Sequence, residues 1–169
     1  MTGAPAVVAA AVLAVAGCGG GGGGKSSPTR TAPTSAPPSG AASGDTIKTA
    51  TVGNLGQILV DGQGRTVYLF EKDKGGTSSC TGSCAAVWPP VTASAKPKAG
   101  TGADAAKPGT TKRPDGSTQV TYSGHPVYYY APDGTTPGSA KGQALNQFGA
   151  AWYVLSASGD KVQSTGGGY

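Results

Sequence analysis

Two stretches of the chain carry the same order of apolar and polar positions. "LVDGQGRTVYLFEKD", Leu59 to Asp73, overlays "VTYSGHPVYYYAPD", Val120 to Asp133, without a gap at a shift of sixty. The overlay matches Val60 with Val120, Gly64 with Gly124, Val67 with Val127, Tyr68 with Tyr128 and Asp73 with Asp133, and sets Phe70 against Tyr130. Beyond the Asp the copies drift by four residues and realign at Trp88 and Trp152, in "AAVWPPV" and "GAAWYVL". An internal repeat of this kind organises a whole domain.

Alternation within each copy is that of a strand. In "VYLF" Val67 and Leu69 point one way while Tyr68 and Phe70 point the other; in "VYYY" Val127 and Tyr129 oppose Tyr128 and Tyr130. Both faces are apolar or aromatic, so each strand is expected to be covered on both sides, with the tyrosines mainly in the core and their hydroxyls paired. "GQILV", "DGQGR", "TVYLF" reads as one hairpin, and "TQVTY", "SG", "HPVYYY" as a tighter one. Pro126 is tolerable only at the start of its strand. "TIKTATV" and "WYVLSA" add further strands, and the helical candidate is a short turn at "CAAVWPP", ended by Pro89 and Pro90. The expected fold is all-β and mainly antiparallel: two pseudo-symmetric repeats, about 45–92 and about 115–160, forming one compact domain over 45–163 with at most short helical turns. Between the halves, Ala99 to Lys112 is expected to be a poorly structured crossing.

Composition changes the picture outside that domain. Ala4 to Ala16 is an uncharged apolar run of thirteen, too short to span a bilayer and right for the apolar region of an export signal. It leads into "VAGC", Val15 to Cys18, which resembles the lipobox of bacterial lipoproteins. That resemblance implies a signal peptide over 1–17 and acylation of Cys18, with enough acyl chains for stable anchoring to the outer side of a bacterial cell membrane. Residues 18–44, rich in Gly, Pro, Ser and Thr, read as a flexible tether with a mean reach of roughly 30 Å; 164–169 reads as a flexible tail.

Charge excludes little. The formal net charge is +5, and with Lys25 and Arg30 in the tether the remaining eleven basic and eight acidic residues leave +3. Lys112 with Arg113, and Lys96 with Lys98, are the close basic pairs, a mildly basic surface suited to anionic lipid or wall polymer. Nucleic acid is not an expected partner; an envelope protein or wall polymer is.

Candidate chemistry is sparse. With Cys18 acylated, Cys80 and Cys84 remain as an even pair in an oxidising compartment, where a disulfide is the default. The alternative is metal: Cys-x-x-x-Cys with a remote His resembles a Cu(I) site of copper-delivery proteins, which here would use Cys80, Cys84 and His125, the one His of the chain. The shift of sixty sets His125 opposite Arg65. Asp73 and Asp133 stand where a strand ends and a Gly-containing segment begins, and are expected to cap turn N–H groups. No Gly-x-Ser-x-Gly elbow occurs, and Glu71 is the single Glu, so neither a Ser nucleophile site nor a Glu-based glycosidase pair is in prospect. The expectation is a protein that is not an enzyme and holds no cofactor. A sugar- or polymer-binding surface of exposed Tyr and Trp is a further option, which burial of Tyr68, Tyr128, Trp88 and Trp152 would remove.

Taken together, "YLFEKD" and "YYYAPD", with "CTGSCAAVWPP", "DGSTQVTYSGHPVYYY" and "NQFGAAWYVLSASG", resemble the bacterial secreted-repeat lipoprotein family defined by a Yx(FWY)xxD motif. The motif positions are Tyr68, Phe70 and Asp73 in one copy and Tyr128, Tyr130 and Asp133 in the other. The resemblance implies an exported, membrane-anchored protein and imports no biochemical activity.

Overall fold

The computed structural model describes Gly3 and residues 45–163. The signal segment, Cys18, the tether and the C-terminal tail named above lie outside the described residues. Nine strands follow in order: β1 (Thr46–Thr51), β2 (Gln57–Asp61), β3 (Tyr68–Phe70), β4 (Lys98–Ala99), β5 (Pro108–Lys112), β6 (Thr118–Tyr122), β7 (His125–Pro126), β8 (Asn146–Gln147) and β9 (Ala150–Val154). One short helix, α1 (Ser83–Val87), precedes Trp88. The fold is all-β, and every strand pair is antiparallel except β1 with β4.

Each repeat starts as a meander. β1 pairs with β2 and then the chain turns back at Val60 and Thr66; β5 pairs with β6 and turns back through β7. The last strand of each meander then leaves its own repeat. β3 pairs with β9 of the second repeat, Tyr68 facing Val154 and Phe70 facing Trp152. In return, Tyr128 bridges Pro90 of the first repeat, and the Tyr129 N–H donates to the Pro89 carbonyl at 2.8 Å. The repeats are therefore intertwined, each lending its Trp-bearing segment to the other.

Two expectations need correction. Residues 99–112 are not a poorly structured crossing: they contain β5, the counterpart of β1, so the second repeat starts near residue 108 instead of 115. Nor do the copies overlay without a gap. The first hairpin turns through Gly62, Gln63 and Gly64, the Gly64 N–H donating to the Asp61 carbonyl at 3.0 Å, whereas the second turns on Ser123 and Gly124 alone, both at positive φ. A two-residue turn with both φ positive matches the twist of its strands, and the longer turn needs one more residue. In space Val60 therefore corresponds to Thr121, and Leu59 to Val120, since Val67 and Val127 donate to the carbonyls of Leu59 and Val120 respectively.

The alternation holds in three dimensions. Val67, Leu69 and Val127 join Ile47, Leu59, Val91, Val120 and Leu155 in a mainly aliphatic cluster on one face, with Tyr129 packed against it. Tyr68, Phe70 and Tyr128 join Trp88, Trp152 and the cysteines on the other. Both strands are thus sealed on both sides, which is why they read as near-continuous apolar runs.

Candidate functional site

The repeated motif lies on the pseudo-dyad between the halves. Tyr68 and Tyr128 face each other, each N–H donating to the other's carbonyl at 2.9 Å. Their hydroxyls cross over: Tyr68 donates to Asp133 Oδ2 at 2.5 Å, and Tyr128 to Asp73 Oδ2 at 2.6 Å. The Asp residues also cap turns as expected, Asp73 accepting from the Ser79 N–H and Asp133 from the Lys141 N–H. Each carboxylate is thus shared between its own loop and the opposite strand. Burial first, and the neighbouring carboxylate second, push both phenols well above the ordinary tyrosine range.

The aromatic positions interleave in the same way. Phe70 stacks on Trp152 at 4.0 Å, Trp152 stacks on Trp88 at 3.9 Å, and Tyr130 lies tilted against Trp88 at 4.3 Å, so the rings run repeat one, two, one, two. Tyr68 meets Trp88 edge-on and Tyr128 meets Trp152 edge-on. Gln147 clips the two central rings together from the side, taking the Trp88 Nε1–H on its Oε1 and the Trp152 Nε1–H on its carbonyl. Trp88, Trp152, Tyr68 and Tyr128 are all 0% exposed, which removes the option of a Tyr and Trp binding surface.

Cys80 and Cys84 form a disulfide, buried among these rings. It closes the loop before α1, and Arg113 holds that loop from behind: its Nη2 donates to the Cys80 carbonyl at 2.7 Å and its Nη1 to Ser78 Oγ and Gln119 Oε1, each at 2.6 Å. Arg113 is only 5% exposed, so half of the basic pair read as surface charge is an interior strut. Opening the disulfide in a Cys80→Ser, Cys84→Ser chain is expected to cost about 2 kcal/mol on the chain-entropy view of so small a ring. Urea midpoints of the oxidised, reduced and substituted proteins check this; equal midpoints would show that the loop is held by Arg113 alone.

The pseudo-symmetry breaks at one place. In the second repeat, Tyr129 is covered by Arg65, whose guanidinium lies 3.8 Å from the ring centroid, and both bond to the buried Asp61: Arg65 Nε and Tyr129 Oη each donate to its Oδ2 at 2.9 Å. The residues at the pseudo-equivalent positions are Leu69 for Tyr129, His125 for Arg65 and Tyr122 for Asp61. Leu69 and His125 line a cleft of about 320 Å³ together with Phe70, Glu71, Asp73, Lys74, Asp160 and Lys161. His125 and Lys74 are exposed. Glu71 accepts a hydrogen bond from Lys161, which holds that ammonium above the usual lysine range.

Of the residues singled out from sequence, the structure joins Tyr68, Phe70, Tyr128, both Trp and both Cys in one buried cluster with Tyr130 packed against it, ties Asp73 and Asp133 to it by hydrogen bonds, and puts His125 in the cleft that Asp73 also lines. The His hairpin does approach the Cys loop, as pairing of the repeats allows: a Cβ on Gly76 would come 3.3 Å from the Gly124 carbonyl. Cys80 and Cys84, however, are bonded to each other, and among the described residues no group of three His, Cys, Asp or Glu side chains is placed to hold a metal ion. Sequence reading missed the Asp61–Arg65–Tyr129 cluster, the Arg113 strut and the cleft's Lys74, Asp160 and Lys161. An Asp and an Arg four apart around a Gly turn was the one usable signal.

Comparison with known proteins agrees with this geometry. The profile of a family described as a secreted repeat of unknown function matches residues 49–92 and 109–156, the second match beginning within β5 as the fold requires. Neither the curated proteins nor the solved structures returned a significant match. The two matches cover more than half of the chain and coincide with its two interlocked halves, so the protein belongs to this family of secreted repeats.

Proposed function

We propose that the protein is a lipid-anchored binding module of the outer face of a bacterial cell membrane, tethered through Cys18, that performs no chemistry of its own and holds a wall-polymer segment in the cleft beside His125. The cleft carries this reading. The hydroxyls of Tyr68 and Tyr128 are engaged in bonds within the fold, whereas the cleft lies where Leu69 and His125 stand in place of the Tyr129 and Arg65 that pack together at its counterpart. Its volume suits one small residue of a polymer. Its walls offer both signs of charge, Lys74 and Lys161 against Glu71 and Asp160, matching a segment that bears amine and carboxylate groups. The family's secreted character agrees with an extracellular partner.

The test is calorimetric titration of the full chain, kept soluble by Cys18→Ser, with soluble peptidoglycan peptide fragments. His125→Ala and Lys74→Ala are each expected to weaken binding about tenfold without moving the melting temperature, since these side chains support no core contact. No binding by the parent chain, or undiminished binding by both variants, would sink the reading.

A second reading is copper or redox handling by Cys80, Cys84 and His125, favoured by the approach of the His hairpin to the Cys loop. It requires both thiols reduced, because a disulfide sulfur is a poor Cu(I) ligand. Native mass spectrometry of the chain offered Cu(I), with and without reductant, separates the two. One copper held after reduction and lost in His125→Ala favours metal handling; a chain two protons light and metal-free in both conditions excludes it.

A further inference from the structure

The crossed Tyr–Asp bonds and the interleaved ring contacts of the motif are made between repeats, and each has its mirror. Tyr68 bonds Asp133 as Tyr128 bonds Asp73; Phe70 packs on the face of Trp152, and Tyr130, tilted by 32°, packs on Trp88. The backbone repeats the pattern, the Leu59 N–H donating to the Leu155 carbonyl as the Val120 N–H donates to the Val91 carbonyl, both at 2.8 Å. A surface that meets its own copy through reciprocal contacts about a two-fold is an isologous interface. Here that interface happens to lie inside one chain.

The linker, residues 93–107, adds no aromatic ring and no Tyr–Asp pair to it. It is held to both repeats, to the first through β4 on β1 and the Gly100 N–H to the Ile47 carbonyl, and to the second through the Ala93 N–H to the Thr118 carbonyl and the Asp104 N–H to Tyr122 Oη, with an exposed turn at 104–106. None of its residues takes part in the ring stack or the crossed Tyr and Asp pairs. The crossed bonds and the ring pile are therefore specified by the repeats, while the linker fastens each half from outside that interface.

We propose that the repeat face is a docking surface for a second copy of this chain, formed by exchange: the first repeat of one molecule takes the second repeat of another, with the same crossed Tyr–Asp bonds and the same four-ring stack between chains. This does not depend on the cleft or its ligand. Shortening a connection between two such halves converts the closed form into an exchanged pair, because the intrachain span can no longer be bridged.

The span can be judged from the sheet. Thr92 and Pro108 lie on opposite sides of β6, opposite Gln119 and Tyr122 respectively. Strand spacing and rise place them roughly 14 Å apart. A direct 92-to-108 peptide link reaches only about 3.8 Å.

The experiment uses the full Cys18→Ser chain with residues 93–107 deleted, examined by light scattering and near-ultraviolet circular dichroism. The expected result is a doubled molar mass with the tryptophan signal of the parent retained. A folded monomer with that signal would overturn the proposal. Should the deletion chain fail to fold, a second variant decides: the full chain with a protease site in the 104–106 turn, cut after folding. Its halves are expected to remain together, and after mixing with an isotope-labelled cut sample and cycling through denaturant, about half of the particles should be hybrids. Halves that separate, or that refuse a second copy, would overturn it as well.

Discussion

Tyr68→Ala is expected to lower the stability of the domain by about 4 kcal/mol, and Tyr128→Ala by a similar amount. Each ring is fully buried, lies edge-on against the tryptophan of its own repeat, and carries a hydroxyl that donates to a carboxylate of the other repeat. Truncation opens a cavity at the middle of the ring pile, so the cost includes the lost transfer of the ring and the void left behind. Against a total stability of about 5–15 kcal/mol, either change removes much of the margin. Tyr68→Phe separates the two contributions. It keeps the ring and deletes the crossed hydrogen bond, for an expected loss of about 1.5–3 kcal/mol, as for a bond to a charged group. Asp133 is not orphaned by this, because Ser139 Oγ and the Lys141 N–H still donate to it. Denaturant midpoints of the variants check the series, and an unchanged midpoint in the two Ala variants would refute the core role of the motif.

Alkaline unfolding is the second large effect. Tyr68, Tyr128 and Tyr129 are all held far above the ordinary phenol range, by burial first in each case. The neighbouring carboxylates of Asp133, Asp73 and Asp61 add to the shift in turn. A raised folded-state pKa means that the fold retains protons which the unfolded chain releases near pH 10. The stability conferred is complete below about pH 9 and is lost as pH rises past about 10. With three such phenols the slope reaches about 4 kcal/mol per pH unit, enough to unfold a small domain within two or three units. The measurement is phenolate absorbance and circular dichroism followed together from pH 8 to 13. Three phenolates are expected to appear only as the fold is lost, and their reversible titration near pH 10 with the fold intact would contradict the burial of these hydroxyls.

Much of this architecture was legible in the residue order. Alternation in "VYLF" and "VYYY" identified strands covered on both faces, because a period of two puts Val67 and Tyr68 on opposite sides whatever else the chain does. The even pair Cys80 and Cys84 gave its disulfide by elimination, and the turn composition marked both hairpins. The one-residue difference between those hairpins was hidden, because equal spacing from Val67 and Val127 made an ungapped overlay look sufficient. Arg113 was misjudged for a similar reason. Next to Lys112 it has the look of surface charge, and only the loop folded over it supplies Cys80, Ser78 and Gln119 as partners.

What the sequence by itself determined is the content of each half: two copies of a β meander, a Tyr and an Asp five residues apart, an aromatic between them and a Trp further on. It also determined that these residues would be paired, since buried phenols and carboxylates cannot go without partners. Which partner each would take was decided only by the tertiary structure. Tyr68 could satisfy Asp73 or Asp133 with the same chemistry, and the chain chose Asp133 because β3 crosses to β9 and leaves its own repeat. Local pattern cannot distinguish pairing within a copy from pairing between copies, as both bury the same side chains. The difference lies in strand order and the path of the connecting segment, which are properties of the assembled sheet.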